Sequence, residues 1–296
     1  MADPRTPAVR LAVLGSPIAH SLSPRLHRAA YDVLGLDWSY EAVECAGADL
    51  GAFVAGIGSG WRGLSLTMPL KRDVLPLLDR VDDTARLAGA ANTLLLEEDG
   101  DGRTRRRGAN TDVAGIVRAL GAAGVERTQR AVVLGAGSTA RSAVVASARM
   151  GAREVVVAAR RLEQGRELAP LADELGVALL AVPLDGELAE LRDADTVIST
   201  LPGDAAAAVS LPRALPDATV LLDVTYAPWP TGIATAWERA GGRVVPGIDM
   251  LVHQALDQVR LFAHGDDARP LPDEERVLAA MLASVDRDPR RPWTGA

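Results

Sequence analysis

Ala131-Val-Val-Leu134-Gly135-Ala136-Gly137-Ser138-Thr139-Ala140 is the stretch whose reading decides the fold. Apolar residues of strand length run into a Gly-x-Gly-x-x-Ala turn, and an alanine-rich segment follows with helical character as far as Met150. Glycines at such a turn permit a tight bend and close approach of a pyrophosphate, and the helix N-terminus beyond supplies a field that favours the anion. A purely structural turn is the competing reading. The strand before it, the helix after it and a second strand about 20 residues on favour a dinucleotide site built from residues 135 to 140.

The second strand, Glu154 to Ala158, carries the next signal at its end. NAD-binding versions of this arrangement place Asp or Glu there for the ribose hydroxyls, whereas this chain has Ala159-Arg160-Arg161. Guanidinium groups suit a phosphate and leave the carboxylate's role unfilled, so the expected cofactor is NADP(H). The plainer alternative is two surface arginines at a helix start.

Working outward, strand-length apolar runs alternate with helical patterns almost throughout, the mark of an α/β protein with mostly parallel sheets. Downstream, a helix over Glu163 to Leu175 and strands at Ala178 to Val182, Thr196 to Ser199 and Val220 to Asp223 complete a doubly wound sheet. Upstream, strand Arg10 to Gly15 precedes a helix with Ser23 as N-cap and Pro24 at its first position, closing at Gly35. Strands follow at Trp38 to Val43, Gly63 to Leu66, Ala91 to Leu96 and Arg105 to Gly108. Short helices lie near Asp49 to Ile57 and Asp82 to Leu87, and a helix over Val113 to Ala123 leads into the second series. The tail from about Asp249 is helical, and its apolar stripe requires it to pack back on the first part of the chain. The expectation is two domains: an N-terminal α/β substrate domain over 1–112, completed by 248–296, and a Rossmann-type NADP domain over 113–247.

At 296 residues the chain exceeds what one core usually spans. No apolar run is long enough to cross a bilayer, and the Met1–Arg5 start lacks a basic stretch followed by an apolar one, so a soluble, cytoplasmic protein is expected. The single Cys45 and four scattered histidines offer no disulfide and no metal-ligand spacing, so no metal is expected. A formal net charge of −7 argues against a nucleic-acid partner. The one basic cluster, Arg103 to Arg107, follows the turn residues Asp99-Gly100-Asp101-Gly102 and reads as a solvated hairpin tip.

Scarcity is informative here. Only one of the 32 basic residues, Lys71, is lysine, and the chain has two asparagines, Asn92 and Asn110. Lys71 follows Thr67-Met68-Pro69-Leu70 just after the third strand, at the carboxyl end where α/β crevices open. Lysine can exchange a proton near neutral pH once its pKa falls and arginine cannot, so this position favours proton transfer over a surface ion pair. Both asparagines occur as Asn-Thr at strand ends, and Asp112 stands immediately before a helix, where it serves as an N-cap or as a carboxylate partner for Lys71. Ser21 and Ser23 flank the start of the first helix, where hydroxyls and backbone N–H groups together hold a carboxylate. Capping by Ser23 explains one serine and not the pair.

These motifs together resemble the shikimate dehydrogenase family over nearly the whole chain. Gly15-Ser-Pro-Ile-Ala-His-Ser21-Leu-Ser23-Pro is similar to the family's carboxylate-binding segment, and Thr67-Met-Pro-Leu-Lys71 to its catalytic-lysine segment. Asn92-Thr93 and Gly108-Ala-Asn-Thr-Asp112-Val-Ala-Gly115 match the substrate-contacting asparagine and the aspartate paired with the lysine. Tyr226-Ala-Pro and Gly247-Ile-Asp-Met-Leu-Val-His-Gln254 match the segments that bring a tyrosine and a glutamine to the substrate, with Gly247 near the nicotinamide. The resemblance implies NADPH-dependent, reversible reduction of 3-dehydroshikimate to shikimate on the route to aromatic amino acids. In it Lys71 and Asp112 are catalytic, Ser21 and Ser23 hold the carboxylate, and Thr67, Asn92, Asp112 and Gln254 orient ring hydroxyls. It also implies closure about linkers near 112 and 247, and a monomer or homodimer.

Two departures stand out. Ser65 replaces the usual asparagine, a shorter group that reaches the substrate only through water, and the usual Asn-Arg-Thr is Ala159-Arg160-Arg161. Ser65 keeps two rivals open, a quinate/shikimate dehydrogenase and an aminoshikimate-pathway dehydrogenase. A non-catalytic NADP-sensing protein is the reading from another class.

Overall fold

The computed structural model describes residues 9–202, 209–211, 215 and 219–288. The rest of both expected domains, including 1–8 and 289–296 at the ends of the first, lies outside the described residues. The chain divides into two compact units, the described parts of Met1–Thr111 with Gln254–Pro289, and of Asp112–His253.

In the first unit the elements run β1 (Val9–Gly15), α1 (Ser23–Leu34), β2 (Trp38–Glu44), α2 (Gly47–Ala55), β3 (Trp61–Leu66), α3 (Leu70–Asp73), β4 (Arg80–Val81), α4 (Asp83–Ala88), β5 (Thr93–Glu98) and β6 (Thr104–Ala109). They form one six-stranded sheet in the order β2-β1-β3-β5-β6-β4. β1 pairs parallel with β2 and β3, while β5 runs antiparallel to both β3 and β6. β4 pairs parallel with β6, so the sheet keeps the expected mostly parallel character, and β5 and β6 run antiparallel because a connection as short as Asp99–Arg103 can join only antiparallel neighbours. Asp99 holds the turn by accepting the backbone N–H of Asp101 and Arg103. The arginines beyond are not all solvated: Arg105 pairs with Asp99, and Arg107, 18% exposed at its side chain, pairs with Glu97 at 2.8 Å. β4 was not expected, since two exposed residues carry no periodic signal.

One sheet face packs Leu14, Leu64, Leu66 and Leu94 against Leu50 and Val54 of α2, Leu70 of α3 and Val74 just after it. α1 ends at Gly35 in the left-handed conformation, as its sequence predicts. Its start differs: Leu22 is the N-cap residue, and the expected cap, Ser23, is the first helical residue. The hydroxyl that accepts there belongs to Ser21, which takes the Ser23 N–H at 3.3 Å.

The second unit begins with α5 (Asp112–Ala122) and continues β7 (Arg130–Leu134), α6 (Ser138–Arg149), β8 (Glu154–Ala159), α7 (Leu162–Arg166), α8 (Ala169–Leu175), β9 (Ala178–Pro183), β10 (Thr196–Ser199), β11 (Val220–Asp223), α9 (Gly232–Arg239) and β12 (Arg243–Pro246). Its sheet is parallel throughout, in the order β12-β11-β10-β7-β8-β9. Succession reverses between β7 and β10, the switch point at which doubly wound sheets bind ligands. The helix expected over Glu163 to Leu175 is two helices, because the ring of Pro170 would collide with the carbonyl of Arg166 in a continuous one. α9 and β12 were not anticipated. Thr231 caps α9 by accepting the Ala234 N–H, and the helix buries Ile233 and Trp237 in the core of this unit.

The chain passes back into the first unit within α10 (Gly247–His264) and ends its described course with α11 (Glu274–Ser284). α11 packs on α1, and Arg25 meets Asp286 at 3.4 Å. The tail therefore returns to the first unit, as its apolar stripe requires.

Candidate active site

Four segments of the first unit meet at one end of its sheet, tied by backbone hydrogen bonds. Ser16 N–H donates to Met68 O, Thr67 N–H to Leu14 O, Leu66 N–H to Asn92 O, Ala91 N–H to Lys71 O and Asn92 N–H to Ala109 O. The segments containing Ser21 and Ser23, Thr67 and Lys71, Asn92, and Thr111 are thus fixed against one another before any side chain is considered. Gly15 is necessary to this arrangement, since a Cβ there would lie 2.3 Å from Thr67 Cγ2 and 2.9 Å from Met68 O. The lone lysine sits on the single turn of α3, half-buried.

Asn92 is the hub of the side-chain geometry. Its Oδ1 accepts Thr111 N–H and the Thr93 hydroxyl, both at 2.9 Å. Its Nδ2 donates to Thr111 Oγ1 at 2.8 Å and to Gln254 Oε1 at 3.2 Å. Of the sequence-derived residues, Asn92 and Gln254 are therefore in direct contact. Asn110 instead supports the scaffold, its Nδ2 donating to Ala90 O.

Ser65 lies on β3, 3% exposed. Its hydroxyl donates to Gln258 Oε1 at 2.9 Å and accepts from Tyr40 at 2.6 Å, so its proton is spent inside the protein. Gln258, Thr93 and Tyr40 escaped the sequence reading. A signal for the first was available, because Gln258 follows Gln254 at the i,i+4 spacing that places both on one helix face. Burial pushes the Tyr40 phenol up, with the Ser65 hydrogen bond opposing the rise.

In the second unit Asp112 is the first residue of α5 and is buried, in the turn where the helix field favours a negative charge. Tyr226 is half-buried in the loop after β11. That loop is held by Asp223, also missed, whose carboxylate accepts the Thr225 N–H and the Thr231 hydroxyl. Burial raises the Asp223 pKa against those hydrogen bonds. Gly247 has a packing reason of its own, because a Cβ would come within 2.3 Å of Val224 O.

The turn of Gly135, Ala136, Gly137, Ser138, Thr139 and Ala140 joins β7 to α6 at the switch point. Gly135 has φ +107°, and a Cβ there would meet Thr200 Oγ1 at 2.5 Å. At Gly137 a Cβ would meet nothing within 4 Å, so the space before this helix start is open to a ligand. No side chain caps α6, and Ala140 is fully buried, which lets helix and sheet approach closely. In register, Leu134 faces Ala158 on β8 and Gly135 N–H donates to Ala158 O, so the glycine turn starts beside the end of β8, and Arg160 is the first residue after that strand. Arg160 and Arg161 are exposed, and their guanidinium groups make no ion pair among the described residues. Uncapped amides at a glycine turn beside two cations fit a dinucleotide carrying an extra phosphate. No group of His, Cys, Asp and Glu that could hold a metal occurs among the described residues.

A parallel sheet with a glycine turn at its switch point, joined to a second α/β unit bearing a lysine at a strand's carboxyl end, defines a nucleotide-linked dehydrogenase of the α/β class. Residues 13–94 match the model of the shikimate dehydrogenase substrate-binding domain, and residues 119–207 that of shikimate/quinate 5-dehydrogenase. The chain belongs to the shikimate dehydrogenase family. It is 38% identical to shikimate dehydrogenase (NADP(+)) of Geobacter metallireducens, across 92% of this chain and 96% of the relative. Among solved structures it resembles the Mycobacterium tuberculosis shikimate dehydrogenase, with 40% identity, TM-score 0.78 and coverage of 93% and 99% of the two chains. It also resembles the Thermus thermophilus shikimate 5-dehydrogenase solved in complex with NADP(H) and shikimate, with 33% identity, TM-score 0.76 and coverage of 93% and 99%.

Proposed function

We propose that this chain is an NADP-dependent oxidoreductase that interconverts 3-dehydroshikimate and shikimate, with the first unit binding the substrate and the second the nucleotide. The observation that carries the reading is the Asn92 hub, which joins the lysine-bearing segment, Thr111 and Gln254 into one polar surface at a strand's end.

Bound NADPH supplies the hydride to the ring ketone. The Lys71 ammonium stabilises the oxygen as it becomes anionic and gives it a proton, which completes the alcohol. Asp112 orients that ammonium and shares its proton. Ser21 and Ser23 hold the carboxylate at the start of α1, and Thr67, Asn92, Tyr226 and Gln254 orient the ring. Ser65 acts from behind this layer, because its proton goes to Gln258. Residues 135–140 cradle the pyrophosphate, Arg160 and Arg161 pair with the additional phosphate, and Gly247 keeps the nicotinamide side clear. The enzyme works in the cytoplasm as a monomer or homodimer, a setting that suits its one buried thiol, Cys45.

Initial rates followed at the nicotinamide absorbance, on shikimate and quinate with NADP and NAD, test this. Shikimate with NADP is expected to be fastest. A preference for quinate would move the assignment to that substrate, and NADP binding without turnover would make the chain a nucleotide sensor.

A further inference from the structure

Behind Asn92 the buried hydrogen bonds of the first unit have one allowed direction. Gln258 Nε2 is 3.1 Å from Asn92 O and 3.0 Å from Thr93 Oγ1. A carbonyl oxygen only accepts, so this end of the Gln258 amide is its donor end, and Oε1 faces Ser65 Oγ at 2.9 Å and His27 Nε2 at 3.3 Å. Both of those must donate. Ser65, having given its proton, accepts from Tyr40, and His27 keeps its proton on Nε2 and accepts the Tyr31 hydroxyl on Nδ1 at 3.0 Å. Thr93, receiving from Gln258, must donate to Asn92 Oδ1. Asn92 Nδ2 then donates to Gln254 Oε1, which leaves Gln254 to present its N–H end elsewhere. His27, Tyr40 and Thr93 are fully buried and Gln258 is 2% exposed, so water does not compete along the chain. Burial lowers the His27 pKa to about 3, which keeps the imidazole neutral and the direction unchanged at any physiological pH.

We propose that Gln258 and Thr93 are positioning residues: their one-way hydrogen bonds, anchored by Ser65 and His27, fix the Asn92 amide, which in turn holds the Gln254 amide in the orientation that the substrate hydroxyls meet. The inference rests on the reading of Gln254 as a substrate ligand, and two kinds of measurement separate it from that reading. Thr93→Val keeps the shape and removes the hydroxyl, whereas Thr93→Ser keeps the hydroxyl and removes a methyl. Val should raise KM for shikimate about tenfold with kcat and KM for NADP within about twofold, and Ser should stay within about threefold of the parent. A wild-type KM for Val beside an impaired Ser is what packing alone gives, and it overturns the proposal. Because the chain has two asparagines, selective ¹⁵N labelling yields two side-chain amide pairs, assigned with Asn110→Asp. In ligand-free protein the Asn92 pair should shift and exchange faster in Thr93→Val and in Gln258→Glu, yet hold in Thr93→Ser. An unmoved pair in Thr93→Val overturns the relay whatever the substrate is, while a parent enzyme inactive on shikimate sinks only the assignment of function.

Discussion

The Tyr40 phenol donates to Ser65 Oγ at 2.6 Å, joining residues 25 positions apart inside the first unit. His27 stacks on the same phenol, ring centroids 3.9 Å apart at 10°. The serine that departs from the family pattern is therefore part of an internal layer of aromatic and amide groups. Tyr40→Phe leaves the ring in place and strips Ser65 of its donor, so it should lower stability by about 1 kcal/mol. The denaturant midpoint at constant m-value reads this, and an unshifted midpoint would deny the bond any net worth.

His27 makes stability depend on pH. Its folded pKa is about 3 against 6.5 for the free side chain, so between those values the unfolded chain binds a proton that the folded protein refuses. Stability is complete above about pH 6.5 and falls as the pH drops toward 3. This one group should remove about 2 kcal/mol between pH 7 and pH 5. Urea titrations of the parent and of His27→Gln at both pH values isolate the contribution, and an equal pH slope in the two proteins would count against it.

Lys71→Ala should reduce turnover by about a thousandfold while shikimate binding changes little, as expected when a general acid is lost. Steady-state rates with isothermal binding of shikimate make the comparison. Near-parental turnover would take the lysine out of the mechanism.

Arg160→Ala should weaken NADP(H) by about 2 kcal/mol, near thirtyfold, with NAD(H) almost unaffected, since a charge-assisted bond to the extra phosphate exists for only one of the two nucleotides. Fluorescence titration with both cofactors decides it. Parallel losses would mean that the arginine does not read that phosphate.

Gly135→Ala puts a side chain on a residue at φ +107° and within 2.5 Å of Thr200 Oγ1. The strain should cost about 1–3 kcal/mol in stability and loosen nucleotide binding with it. An alanine variant with the parental Tm and cofactor affinity would show that the turn tolerates a Cβ.

The sequence by itself determined the α/β class, the Gly135–Ala140 turn between strand and helix, the arginines after β8, and the candidacy of Lys71, Asn92, Asp112 and the paired serines. Each of these is carried by local periodicity, by turn chemistry or by the survival of a rare residue type. Only the tertiary structure decided that β5 also runs against β3, and that Ser21 rather than Ser23 supplies the accepting hydroxyl at the start of α1. The same holds for the hydrogen-bond chain that runs through Ser65 and Gln258. Tyr40, Gln258 and His27 come from β2, α10 and α1, and Thr93 completes the chain from β5. Hydrogen-bond direction is a property of groups brought together across a core, where every buried donor must find an acceptor. No local pattern in the chain encodes that pairing.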